Sequence, residues 1–172
     1  MLDAVTRFAR AVDALSTRVG TAAAWLYPVL VVVLIVNVLL RYGFGRGSIE
    51  LEELQWHLFS AAFLLGYAYA YVADAHVRVD VLHARLSRRT RIWIELFGAL
   101  LFLFPWSAIL SYYAFDFFWR SWRLAERSSM PSGLPARYVI KFVLFAALAL
   151  LALQALAVAA RSALELRRGR EP

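Results

Sequence analysis

The chain of 172 residues contains no cysteine. Disulfide staples, thiolate metal ligands and thiol redox chemistry are excluded at once. So are the four-helix membrane enzymes that move electrons through cysteine pairs. Charge is also scarce. Only 18% of residues are Asp, Glu, Lys or Arg, and they cluster between long runs that contain none. A soluble helical domain spreads charge over its outer faces, so the pattern points to lipid as the main solvent. What fills the chain instead is apolar side chain, at 62%, against roughly 45–50% in an ordinary soluble domain. The net charge of +7 rests almost wholly on arginine. Lipid headgroups account for it better than nucleic acid in so apolar a chain.

A spanning helix needs about 20 mostly apolar residues. Four windows qualify: 19–40, 54–73, 92–115 and 139–160. The expectation is an all-α membrane protein, residues 1–172 forming one integral membrane domain of four transmembrane helices. None of the windows reads as alternating strands, which argues against a barrel. The first is too long for a signal h-region and lacks a small-x-small cleavage pattern. Residues 1–18 read as an amphipathic interfacial helix ahead of it. Leu2, Val5, Phe8 or Ala9, Val12 and Leu15 recur at helical spacing, with Asp3, Arg7, Arg10 and Asp13 on the other face.

Twelve of the 19 Lys and Arg residues fall in the N-terminus, the connection between spans two and three, and the C-terminal tail. The bias places both termini in the cytoplasm. Tyr42, Trp56, Tyr112, Tyr113, Trp119, Trp122 and Tyr138 crowd the outer boundary, and Trp93 marks the inner one. Amphipathic rings prefer this depth.

Three glycines, Gly43, Gly45 and Gly47, permit a tight outer turn before Ser48, a good N-cap. Glu50, Glu52 and Glu53 follow where the helix dipole favours negative charge; they serve as caps or as partner contacts. The third helix is expected to continue past the membrane surface from Asp116 toward Arg127, with Asp116 and Arg120 paired. Pro131, Gly133 and Pro135 then break the chain. Arg46, Arg120, Arg123 and Arg127 join the glutamates as candidate partner contacts beyond the lipid. Pro105 should kink or loosen span three.

Ionisable groups at mid-depth are few. Glu95 pairs most simply with Arg91, and Lys141 can snorkel outward. His57 lies near the outer end of span two, His76 and His83 in the inner connection, so two facing haem ligands are not supplied. No metal, cofactor or catalytic residue is expected. Asn37 and Gln154 lie too far apart in depth to bond each other, and each needs a partner elsewhere. Ala62, Gly66 and Ala70 form a small-residue stripe that suits close helix packing, within the chain or against another subunit.

These residues bring the chain close to a known family. The acidic start at Glu50, Glu52 and Glu53 with Gln55 and Trp56, then Phe63 through Gly66, then His76, Arg78 and Asp80 resemble the small permease subunit of tripartite ATP-independent periplasmic (TRAP) transporters, the DctQ-like proteins. A weaker echo runs from Trp122 through Glu126 and Ser128 to Pro135. The resemblance implies a non-enzymatic subunit in the bacterial inner membrane. Its partners would be membrane lipid, a large permease that carries substrate and ion sites, and a periplasmic binding protein that delivers an organic acid. His76, Arg78 and Asp80 would be structural. The competing class is a membrane anchor for a respiratory or redox complex, and a third is a small stand-alone exporter.

Overall fold

The computed structural model describes residues 2–75 and 86–168. Among these residues every regular element is helical. The order is α1 (Leu2–Ala24), α2 (Leu26–Gly43), α3 (Ile49–Val72), α4 (Arg88–Phe97), a π-helical segment (Gly98–Leu103), α5 (Phe104–Arg123) and α6 (Tyr138–Arg168).

The N-terminal helix differs from expectation. It does not stop near residue 18 but runs on to Ala24, and the break falls inside the window 19–40. The cause is local. Pro28 has no N–H to offer the carbonyl of Ala24, so the ladder cannot continue. Trp25 N instead donates to Ala22 O at 3.2 Å, tightening the turn. The face that α1 buries is Ala9, Val12, Ser16, Gly20 and Ala23, a spacing of three and four. Asp13 lies on the edge of that buried side, not opposite it as the simple amphipathic reading placed it.

Three helical stretches are long and apolar enough to cross a membrane: Asp3–Gly43, Arg88–Arg123 and Tyr138–Arg167. The α3 helix is long enough at 24 residues but less apolar, because Gln55, His57, Tyr67, Tyr69 and Tyr71 interrupt its hydrocarbon.

Helix α6 is the hub. At 31 residues and 1.5 Å rise it is about 46 Å long, and it packs on α1, α3, α4 and α5. Its buried side is mostly small: Ala147, Ala152, Ala155, Ala157 and Ala159, with Leu150, Gln154 and Ser162. Small side chains let neighbouring backbones approach, which supplies dispersion where lipid gives no hydrophobic drive. Helix α2, by contrast, packs mainly on α3. It leaves Val29, Val32, Ile35, Val36 and Leu39 exposed and buries Asn37.

Pro105 acts as its chemistry dictates. It cannot donate to Leu101 O, and the turn before it widens to a π-helix in which Phe104 N donates to Ala99 O. Ser107 Oγ donates back to Leu103 O at 2.6 Å, one turn earlier on the same helix. The α5 helix then extends to Arg123 but not to Arg127. Ala125, at φ 44°, ends it, and Glu126 N donates to Ser121 O at 3.0 Å in the manner of a Schellman closure.

Candidate functional site: an arginine-bearing face and a buried clamp

The end of the bundle that carries Ser48 is organised by the start of α3. Ser48 Oγ accepts from Leu51 N at 3.2 Å and donates to Glu50 Oε2 at 2.9 Å, the expected cap. Glu52 forms an ion pair with Arg41 at the end of α2. Glu53 reaches across to the connection between α5 and α6. It accepts from Ser128 Oγ and from Leu134 N at 2.7 Å. Glu52 and Glu53 are thus engaged within the chain.

A second tie holds the same connection. Glu126 pairs with Lys141 near the start of α6. The lysine ammonium also sits 3.8 Å from the centroid of the Phe117 ring, and its side chain is only 12% exposed. Lys141 therefore does not snorkel into open water; it is closed over by an aromatic ring and a carboxylate. The hydrogen bonds from Ser128 and Leu134 hold the Glu53 carboxyl below its ordinary range. Lys141 does the same for Glu126.

Asp116 pairs with Arg120 one turn along α5, as its spacing required. Arg46, Arg123 and Arg127 are exposed and have no carboxylate partner among the described residues. Around them stand exposed rings: Tyr42 at the end of α2, Trp56 on α3, and Trp119 and Trp122 on α5. Trp122 meets Tyr138 edge to face at 4.8 Å. The face therefore presents unpaired guanidinium groups beside amphipathic aromatics.

The opposite end carries a network that the sequence did not reveal as a unit. Gln154, fully buried on α6, accepts from Ser16 Oγ at 2.8 Å through its carbonyl. It donates through Nε2 to Asp13 Oδ1 at 2.8 Å. Arg161, two turns further along α6, pairs with the same carboxylate. The partner demanded by Gln154 is thus found on α1. The sign available in the sequence was that Asp13 and Ser16 share a face with Ala9, Val12 and Gly20. A cavity of about 990 Å³ adjoins this clamp, walled by the π-segment, the end of α3 and the C-terminal part of α6.

The small-residue stripe lines a groove of about 420 Å³ between α3 and the α1–α2 break. Ala62 is buried, but a Cβ added at Gly66 meets nothing within 4 Å. The close approach inside the chain is at Gly20, where an added Cβ collides with Tyr69. Asn37 is buried, with its Oδ1 unpartnered among the described residues. His57 Nδ1 contacts Glu53 O at 2.6 Å on its own helix. No group of three His, Cys, Asp or Glu residues among the described residues is placed to hold a metal ion. His76, Arg78 and Asp80 lie outside the described residues.

Helices of this length and apolarity, bound by small-residue packing and a few polar ties, define a helical membrane protein. The particular family follows from the sequence comparison. Residues 30–165, well over half of the chain, match the model of the DctQ component of the tripartite ATP-independent periplasmic transporters, and the chain belongs to that family. The family is a transporter component and not an enzyme family. No curated protein and no solved structure matches the chain significantly.

Proposed function

We propose that this chain is the static small membrane subunit of a TRAP-type secondary transporter. It crosses the bacterial inner membrane four times, with α3 as the crossing helix beyond the three that are most apolar, and keeps both termini in the cytoplasm. It scaffolds a large permease subunit, which carries substrate and coupling ion. The imported molecule is an organic acid handed over by a periplasmic binding protein. The family match over residues 30–165 carries this reading.

Two features of the chain support the finer points. The charge bias favours the clamp end inside and the Arg46, Arg123 and Arg127 face outside. That outer face then receives the binding protein, with Arg120 at its margin and Glu50 as a capping carboxylate beside it. The ties through Glu52 and Glu53 keep the receiving surface in one shape, which spares the ordering cost of a mobile loop. Of the stripe at Ala62, Gly66 and Ala70, Ala62 is buried within the chain, while the room at Gly66 suits a helix of the permease. His76, Arg78 and Asp80, in the connection between α3 and α4, are assigned a structural role.

Co-expression with the large permease tests the reading. Affinity purification on a tag at Pro172 should recover the permease in fixed proportion. A chain that purifies alone from membranes containing abundant permease would refute it. Arg123→Glu should leave that recovery intact and weaken uptake most at low binding-protein concentration. A response that does not vary across the concentration series would remove Arg123 from the docking face.

A further inference from the structure

Helix α1 presents three different faces. Ala9, Val12, Ser16, Gly20 and Ala23 are buried against the bundle. Asp13, one of only two acids on the helix, is drawn to that side by Gln154 and Arg161. This fixes the rotation of α1 about its axis and removes a negative charge from its outer surface. On the outer surface Arg7, Arg10 and Arg18 are exposed. None of them has a carboxylate partner among the described residues; Arg7 and Arg10 reach only main-chain oxygens, Asp3 O and Thr6 O, each at 3.4 Å. Beside the arginines, Phe8 and Leu15 are 40% and 46% exposed. They are seven apart and so share one edge.

Water alone gives no reason to expose a phenylalanine and a leucine along one edge beside three unpaired guanidinium groups. A headgroup layer does. The apolar edge enters the acyl boundary, and the cationic face meets phosphate. The chain connection enforces proximity, because α1 passes within one residue into α2, whose apolar run belongs to a candidate span.

We propose that α1 is an anionic-phospholipid-binding element in which Arg7, Arg10 and Arg18 hold the headgroups of acidic lipid. The Asp13–Arg161 clamp orients it. Phe8 and Leu15 set its depth. The element precedes residue 30, where the family match begins, and does not depend on the transport reading.

The full chain in vesicles doped with spin-labelled phosphatidylglycerol or phosphatidylcholine gives a direct test. The fraction of motionally restricted label reports which lipid the protein selects. Wild type should favour phosphatidylglycerol by about threefold or more at low salt, falling toward parity at high salt. Arg7→Gln, Arg10→Gln and Arg18→Gln together should remove most of that preference. The same three positions as lysine should keep it, which also controls for insertion and folding. A matched triple change to glutamine at Arg46, Arg123 and Arg127 should have the smaller effect. Unchanged selectivity in the α1 glutamine variant, or an equal loss in the outer-face variant, would overturn the proposal.

Discussion

Replacing Asp13 by alanine strips the inner clamp of its shared acceptor. Two groups lose a partner, and the structure says which loss is larger. Gln154 is fully buried, so its Nε2 cannot turn to water. An unsatisfied buried donor costs about 1–3 kcal/mol. Arg161 is 38% exposed along its side chain and can rehydrate, so its ion pair contributes about 0–1 kcal/mol. The expected cost of Asp13→Ala is therefore about 2–3 kcal/mol, most of it from the amide. A double-mutant cycle separates the two. Asp13→Ala with Gln154→Leu should show coupling of about 1–2 kcal/mol, and Asp13→Ala with Arg161→Met distinctly less. Reversible unfolding in mixed micelles reads these differences. If Asp13→Ala costs under about 0.5 kcal/mol, or if the arginine cycle is the larger, the assignment of the clamp to the buried amide is wrong.

The outer connection between α5 and α6 should respond to acid. Glu53 and Glu126 have carboxyls held below their ordinary value of 4.5, so their contribution is complete above that pH and is lost as pH falls through the lowered values. Proteolysis at residues 124–137 should stay slow from pH 7 to 5 and accelerate only below about 4.5; Glu126→Gln should raise cleavage at neutral pH and flatten that acid response. Gly20→Leu should destabilise the chain by about 1–3 kcal/mol through collision with Tyr69. Gly66→Leu has room within the chain and should spare its melting temperature while reducing recovery of the permease. The reverse ranking of the two glycines would remove the stripe from the subunit interface. A reporter active only in the periplasm, fused at Pro172, should give no signal; a strong signal would invert the topology.

The helices were legible because their cause is local. Windows of apolar residues, Ser48 as a cap, and Pro131, Gly133 and Pro135 as breakers all act within a few residues of themselves. Pro105 was legible as a disturbance for the same reason, although its form, a π-turn, depends on which carbonyl the displaced N–H finds. Pro28 had the same information and ends one helix and starts the next, whereas the uniform apolarity of 19–40 concealed it.

What stayed hidden were the long-range ties. Glu53 to Ser128 and Leu134, and Asp13 to Gln154 and Arg161, join positions far apart in the chain. No spacing rule names such partners until the helices are packed. The face assignment of Asp13 went the wrong way because a charged residue on an amphipathic helix defaults to the solvent side, and only the half-exposed arginine and the buried amide on α6 reverse that default. For the candidate docking face, the arginines without partners could be nominated from sequence as charges beyond the lipid. That Glu52 and Glu53 have partners within the chain could not be.

The central claim is that this chain serves a transporter without itself carrying the solute. Reconstituted uptake decides it. Vesicles holding the large permease with this chain, supplied with the binding protein and an ion gradient, should take up the organic acid. Vesicles with this chain alone should show no flux, and those with the permease alone should show strongly reduced flux. Full uptake by permease and binding protein without this chain, or uptake by this chain alone, would contradict the account.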